Sequence, residues 1–268
     1  MKKSYWKSIL FGGLLLVATA CGSSEDTSSE AEGEATTDEA ERESYVVATD
    51  NAYVPFEFLD EETGELVGFD IDLMTAIADE AGFDIEFEAM EFDGIVAGIG
   101  SGRFDIGIAG MTITEERKEN IDFSQPYYEA GLIVAVQADN DEINSVDDLD
   151  GKTVATRTGS TSETYIRENT GGTPEAFPQI TEAYQNVIQG RADAVIYDIP
   201  NVQYYASTEG GGQLKTIGEP LTGEEYGIAF PKGSELRDIA DEALTTLMED
   251  GTYADLYEKW FGERPEGM

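Results

Sequence analysis

The chain has 268 residues and a formal net charge of −40, from 16 Lys and Arg against 56 Asp and Glu. A domain of this charge is repelled by nucleic acid and by anionic lipid, so neither is expected as a partner. The chain has no histidine and one cysteine, which excludes catalytic triads that need His, His metal sites, thiolate metal clusters and an intramolecular disulfide. No cofactor and no metal is expected.

The first 21 residues predict a secretory leader. Three lysines precede an apolar run, Ile9 to Val17, which is too short to span a membrane. Cys21 follows Ala18-Thr19-Ala20, and this segment resembles the lipobox of bacterial lipoproteins. A Leu is usual where this chain has Ala18, and the same residues also fit ordinary signal cleavage. We expect lipidation of Cys21, which would anchor the protein to the outer face of the cell membrane through lipid alone.

Residues 22–44 predict a disordered acidic tether. They contain nine acids, one base and no large apolar side chain, so they cannot bury enough apolar surface to become ordered. The folded part is therefore expected to begin at Tyr45.

Predicted strands and helices alternate from Tyr45 onward. Helical spacing of apolar side chains predicts one helix over Gly68–Gly82 and another from Ser234, as N-cap, to Gly251. Short β-branched or alternating runs predict strands at Tyr45–Thr49, Asp84–Met90, Phe104–Ala109, Leu132–Val136, Lys152–Thr156 and Ala192–Tyr197. This alternation predicts an α/β fold with largely parallel sheets.

A short internal repeat suggests two lobes of one design. Val47-Ala48-Thr49-Asp50 resembles Val154-Ala155-Thr156-Arg157, and Gly102-Arg103-Phe104-Asp105 resembles Gly190-Arg191-Ala192-Asp193. The matches occur in the same order in both halves, although four-letter matches also arise by chance.

Ligands of open α/β sheets bind beyond the carboxyl ends of the strands. Between two facing lobes, that rule selects Asp50, Thr112, Arg117, Arg157 and Asp198. The set contains both acids and bases, as a zwitterion requires. A glycine such as Gly110 permits close approach of a ligand to the backbone, and an arginine can grip a carboxylate with two parallel hydrogen bonds.

Motifs along nearly the whole folded part resemble the polar amino-acid-binding proteins that serve ABC importers, most closely the glutamine-binding proteins. The matching segments are VVATDNAYVPFEF, VGFDIDL, IAGMTITEERKENIDFSQPYY, SVDDLDGKTVATRTGS, GRADAVIYDIPN, YGIAFPKGSELRD and DGTYADLYEKWFG. The resemblance implies a two-lobe fold of the type II periplasmic-binding-protein kind, with two mostly parallel sheets flanked by helices and two crossing hinge segments. It places lobe 1 at 45–126 plus 227–268, lobe 2 at 132–221, and the hinges near 127–131 and 222–226.

The resemblance also implies roles for residues that hold the two ends of an amino acid. Arg117 is expected to clamp the α-carboxylate, together with the backbone N–H groups of Thr112 and Thr161. Asp198 is expected to hold the α-ammonium group, together with the Thr112 hydroxyl and the Gly110 carbonyl. The aromatic rings expected to enclose the methylene groups of the ligand are Tyr53 and Phe92.

The ligand side chain is expected to meet Asp50, Arg157 and Tyr197. An acid beside a base suits a carboxamide, which offers a donor and an acceptor, so glutamine is the favoured ligand. Glutamine-binding relatives carry Lys in place of Arg157, His in place of Tyr197 and Phe in place of Tyr53. Glutamate or another polar amino acid is the alternative.

The resemblance favours binding without chemistry, by a monomer that delivers a free amino acid to an ABC permease. No catalytic residue is therefore assigned. An enzyme on the same scaffold, such as a dehydratase, is the alternative from another class, although the expected cleft contains no Lys or His. A third alternative is a sensor lobe of a signalling receptor. The sequence has no second apolar span, which argues against that alternative.

Overall fold

The computed structural model describes residues 42–208 and 210–265. The predicted leader, Cys21 and the tether as far as residue 41 lie outside the described residues. In the part of the chain that is described, no helix has the length and apolar character needed to cross a membrane.

Strands and helices alternate as the sequence predicts. The strands are β1 (Ser44–Thr49), β2 (Ala52–Tyr53), β3 (Glu57–Leu59), β4 (Leu66–Val67), β5 (Asp84–Ala89), β6 (Ile106–Gly107), β7 (Ile121–Phe123), β8 (Tyr128–Ala130), β9 (Leu132–Gln137), β10 (Thr153–Arg157), β11 (Thr173–Phe177), β12 (Ala194–Asp198), β13 (Leu214–Ile217), β14 (Glu224–Tyr226) and β15 (Ala229–Pro231). The α-helices are α1 (Phe69–Ala81), α2 (Phe92–Gly100), α3 (Glu115–Lys118), α4 (Thr161–Asn169), α5 (Ile180–Ile188), α6 (Ile199–Ser207), α7 (Leu236–Asp250) and α8 (Thr252–Phe261), and a short 3-10 helix covers Val146–Leu149.

Two five-stranded sheets form the centres of two lobes. Their strand orders are β5-β1-β6-β15-β7 and β11-β10-β12-β9-β13. Four strands of each sheet run in one direction, while β15 in the first sheet and β9 in the second are antiparallel to their neighbours. The prediction of mostly parallel sheets is therefore confirmed, and the reversed strand in each sheet is the one that follows a crossing from the other lobe.

The internal repeat predicted from sequence is visible in the strand pairing. In the first sheet β1, which opens the repeat, lies between β5 and β6. In the second sheet the equivalent strand β10 lies between β11 and β12. The carboxylate of Asp105 accepts a hydrogen bond from the Val46 N–H at 2.9 Å, and Asp193 does the same for the Thr153 N–H at 2.7 Å. Equivalent residues of the two halves thus fix equivalent strands.

The chain crosses between the two sheets through β8 and β14, which pair antiparallel with Tyr128 opposite Tyr226. The rings of these two tyrosines are stacked, with centroids 5.7 Å apart. Paired backbones and stacked rings make the crossing a small ordered sheet rather than a pair of loose linkers.

Several predicted boundaries differ from the structure. Strand β1 begins at Ser44, inside the predicted tether of residues 22–44, and two further differences concern α7 and β6. Helix α7 begins at Leu236 after Glu235, so the prediction of Ser234 as its N-cap is wrong; the Ser234 N–H instead closes a turn onto the Pro231 carbonyl at 3.0 Å. The predicted end at Gly251 is confirmed, with a φ of 91°. Strand β6 is shorter than predicted, although the Ile108 N–H still bonds to the neighbouring strand through the Ala48 carbonyl at 3.1 Å.

A substitution at Gly68, immediately before α1, tests how tightly this lobe is packed. The φ of Gly68 is +142°, and a Cβ there would lie 2.0 Å from the Phe56 carbonyl oxygen. Gly64 also has a positive φ, +71°, but a Cβ there would meet nothing within 4 Å. We expect Gly68→Ala to lower the free energy of unfolding by about 3 kcal/mol or more, against about 1 kcal/mol for Gly64→Ala, because only the former adds a backbone clash. Urea unfolding followed by circular dichroism measures both, and equal losses would contradict the packing argument.

Candidate functional site

A buried ion pair joins the two lobes. Asp50 follows β1, Arg157 ends β10, and their side chains form a salt bridge from which solvent is almost completely excluded. Asp50 also accepts a hydrogen bond from the Ala52 N–H at 3.0 Å, and Arg157 donates to the Tyr197 hydroxyl at 3.3 Å. Since β1 and β10 are equivalent strands of the repeat, the carboxyl ends of the two sheets face each other.

Phe92, the first residue of α2, lies between two guanidinium groups. Its ring centroid is 5.2 Å from the Arg117 guanidinium carbon and 5.0 Å from that of Arg157. Both distances are in the range of cation–π attraction. The structure thus places Phe92 beside the two predicted cationic residues of the site.

Tyr53 contributes a hydroxyl group to the site as well as a ring. It donates to an Asp198 carboxylate oxygen at 2.8 Å, and Tyr226 donates to the same oxygen at 2.6 Å. Burial, followed by the charge of Glu224, raises the pKa of Asp198 to about 6, while the two hydroxyl groups and Arg117 act to lower it. Asp198 is therefore ionised at neutral pH.

Only a glycine fits at position 110. Its φ is +53°, and a Cβ would lie 2.3 Å from the Tyr53 ring. Its N–H donates to the buried Asp70 carboxylate at 2.9 Å. The backbone of Gly110 is thus held between an aromatic ring and an acid.

Arg117 lies in the short helix α3, where the Thr114 hydroxyl caps the helix by accepting the Arg117 N–H. Its guanidinium donates to the Thr112 carbonyl at 2.7 Å and, in the other lobe, to the Gly159 carbonyl at 3.2 Å. Burial lowers the pKa of Arg117, and the charges of Asp198 and Glu224 act in the opposite direction. These contacts orient the guanidinium and leave further N–H groups for a bound anion.

Glu224 and Tyr226 were missed by the sequence analysis. The Glu224 carboxylate accepts from the Thr112 hydroxyl at 2.8 Å and from the Thr161 hydroxyl at 3.0 Å. Thr161 is the first residue of α4, after the N-cap Ser160. Both Glu224 and Tyr226 lie in the hinge predicted near 222–226, but neither was assigned a role in the site: Glu224 reads as surface charge beside Glu225, and Tyr226 opens a motif that was used to recognise the family.

The predicted site residues form one connected group. Contacts link all of them, with Thr161 joined through Glu224 and with the Tyr53 and Tyr197 rings, 5.9 Å apart, joining the rest: Asp50, Tyr53, Phe92, Gly110, Thr112, Arg117, Arg157, Thr161, Tyr197 and Asp198. Opposite charges lie close together on both sides of the interlobe boundary, as the recognition of a small zwitterion requires. Among the residues that the structure describes, no cluster of three or more potential ligands could hold a metal ion.

Comparison with known proteins identifies the family of this chain. Residues 45–263 match the model of the bacterial extracellular solute-binding proteins, family 3. The chain belongs to this family. A relative, the arginine-binding extracellular protein ArtP of Bacillus subtilis (strain 168), is 35% identical, and the alignment covers 98% of this chain and 100% of that protein. As a member of a solute-binding family, the protein is a binding protein and not an enzyme.

Solved structures show the same fold. An ancestral arginine-binding protein bound to glutamine superposes with a TM-score of 0.78 and 46% identity, covering 83% of this chain and 99% of that one. An ancestral arginine-binding protein bound to arginine gives a TM-score of 0.78 and 45% identity, with coverage of 82% and 99%. The type II two-lobe fold expected from the sequence is therefore confirmed.

Behind Gly110 lies a pair of fully buried acids, Glu57 and Asp70. One Asp70 oxygen accepts from the Gly110 N–H and from the Tyr127 hydroxyl at 2.8 Å. Burial raises the pKa of Asp70 to about 6. Burial, and then the charge of Asp70, raises the pKa of Glu57 well above its usual value. Glu57 is thus the member of the pair that retains its proton as the pH rises.

The raised pKa of Glu57 predicts a pH-dependent stability. In the unfolded chain Glu57 ionises at the ordinary carboxyl pKa, whereas in the folded protein it stays protonated to higher pH. The stability that protonated Glu57 contributes is therefore fully present below the ordinary carboxyl pKa. It is lost at about 1.4 kcal/mol per pH unit as the pH rises towards the folded pKa. Glu57→Gln cannot titrate, so we expect its stability relative to wild type to increase from pH 4 to pH 8. Urea unfolding at several pH values measures this, with the exposed Glu86→Gln as control; a pH-independent difference would contradict it.

Proposed function

We propose that this protein is the receptor of an ABC importer, that it binds L-glutamine between its two lobes, and that it delivers the amino acid to a membrane permease. Family membership supports the coarser statement, a polar amino-acid-binding protein. The observation that carries the choice of glutamine is the buried, internally neutral pair Asp50–Arg157, beside the oppositely charged Arg117 and Asp198.

In this proposal, the α-carboxylate of the ligand binds the free N–H groups of the Arg117 guanidinium. The backbone N–H groups of Thr112 and Thr161 assist, and the start of α4 adds the favourable field of a helix N-terminus. Because the Thr112 and Gly159 carbonyls already orient the guanidinium, little side-chain entropy remains to be lost on binding.

The α-ammonium group binds the Asp198 carboxylate, the Thr112 hydroxyl and the Gly110 carbonyl. Asp198 is ionised at neutral pH, and its position is fixed by Tyr53 and Tyr226. Phe92 and the Tyr53 ring provide apolar surface for the methylene groups of the ligand.

The side-chain pocket selects by charge. Asp50 and Arg157 neutralise each other, so a neutral carboxamide that donates to one and accepts from the other leaves no buried charge unpaired. An arginine or lysine side chain would place a second cation beside Arg157, and a glutamate side chain would place a second anion beside Asp50. The 46% identical ancestral structure bound to glutamine supports this choice. The arginine-binding relatives make arginine the second candidate.

The same proposal includes the cellular arrangement. Lipidated Cys21 anchors the protein to the outer face of the membrane, and the residues that follow it, up to the start of β1 at Ser44, act as its tether. Lobe 1 (45–126 plus 227–268) and lobe 2 (132–221) close as rigid bodies about hinges near 127–131 and 222–226, and the monomer docks on its permease.

Calorimetric titration of residues 45–268 with the twenty standard amino acids tests the ligand. We expect glutamine to bind most tightly and Arg117→Ala to weaken that binding by at least about 100-fold, because the carboxylate would enter the cleft without its charged partner. Exposed Arg191→Ala is the matched control. Failure of every amino acid to bind, or wild-type affinity in Arg117→Ala, would contradict the proposal.

Asp50→Asn tests the charge balance of the side-chain pocket. The change leaves Arg157 buried without its counter-ion, so we expect weaker glutamine binding and a relative gain for glutamate. The ratio of the two dissociation constants, measured by the same titration, should shift towards glutamate by about 10-fold or more. An unchanged ratio would remove Asp50 from the pocket.

A further inference from the structure

Glu224 lies on β14, in the crossing between the lobes, and its carboxylate gathers hydroxyl groups from both sides. One oxygen accepts from the Thr112 hydroxyl at 2.8 Å and the Thr161 hydroxyl at 3.0 Å, and the other accepts from Thr222 at 3.2 Å. Thr112 precedes α3 of the first lobe and Thr161 begins α4 of the second. A single acid therefore connects the hinge with both walls of the cleft.

The direction of these hydrogen bonds determines what the threonines offer to a ligand. An ionised carboxylate only accepts, so the Thr112 hydroxyl hydrogen points at Glu224. Its oxygen lone pairs are then left for another donor. An ammonium group only donates, so a threonine held in this way is a suitable partner for it. Without Glu224, the hydroxyl could turn its hydrogen towards the ammonium group.

Glu224 does not form an ion pair with Arg117, the residue expected to clamp the ligand carboxylate. The Arg117 guanidinium donates to the Thr112 and Gly159 carbonyls. Within the described part of the chain, no acidic side chain forms an ion pair with Arg117 within 4.0 Å. Glu224 is nevertheless close enough for its charge to act on both Arg117 and Asp198. From the hinge it therefore adds a negative charge within reach of Asp198 as well as of Arg117.

We propose that Glu224 is a specificity-determining residue that selects ligands with an α-ammonium group over carboxylates that lack one. It does so by holding the Thr112 hydroxyl as an acceptor and by placing a second negative charge near Asp198. This inference rests on the proposed function, since it assigns a role within the amino-acid site.

The test compares two ligands that differ only in the ammonium group, L-glutamine and 4-carbamoylbutanoate, by calorimetry on the wild-type protein and on two variants. Glu224→Ala removes both the acceptor and the charge, whereas Glu224→Gln keeps an acceptor oxygen and removes the charge. We expect Glu224→Ala to weaken glutamine binding by about 10- to 100-fold and to leave 4-carbamoylbutanoate binding nearly unchanged. Glu224→Gln should give a smaller loss of the same kind.

The control is Glu225→Ala, which removes the exposed neighbouring acid on the same strand and should change neither affinity. If Glu224→Ala weakened the binding of both ligands equally, Glu224 would have a merely structural role. If the variant bound both ligands more tightly, Glu224 would be a competitor of the ligand carboxylate. Either result would overturn the inference. A wild-type protein that binds no amino acid would overturn the proposed function and the inference with it, whereas an unchanged preference in a glutamine-binding protein would overturn the inference alone.

Discussion

The buried ion pair between Asp50 and Arg157 connects the two lobes at the carboxyl ends of equivalent strands. Removing two charges from water costs several kcal/mol each, so such a pair persists only where further hydrogen bonds surround it. Here the Ala52 N–H supports the acid, and the Tyr197 hydroxyl and the Phe92 ring support the base. The pair joins the two lobes, and the proposed side-chain pocket would be neutral because of it.

The repeat explains why opposite charges meet. Each lobe contributes an acid and a base to the boundary, and they are exchanged: Asp50 of the first lobe faces Arg157 of the second, while Arg117 of the first acts on Asp198 of the second. Each of these charges is therefore close to an opposite charge of the other lobe. In the proposed function, closure of the lobes brings these complementary groups together, and a zwitterion at the Arg117–Asp198 end adds charges in the same alternating order.

Local patterns in the sequence predicted much of the fold. Helix α1 and the end of α7 at Gly251 follow from helical spacing and a glycine stop, and the repeated aspartates Asp105 and Asp193 predicted equivalent strands. Contacts between residues far apart in the chain could not be predicted in this way. Tyr53 was assigned a ring contact, yet its hydroxyl reaches an acid 145 residues away. Glu224 gave no signal because a half-buried hinge acid and a surface acid look alike in a charged chain.

The hydroxyl of Tyr53 affects the ionisation of Asp198. Burial alone favours the protonated acid, which could not neutralise an ammonium group. The two tyrosine hydroxyl groups stabilise the carboxylate and, with Arg117, limit the rise in its pKa to about 6, so it is charged at neutral pH. These donors also use one carboxylate oxygen that an ammonium group would otherwise contact. An additional acceptor and charge near Asp198 would offset that loss, and Glu224 together with the Thr112 hydroxyl provides both.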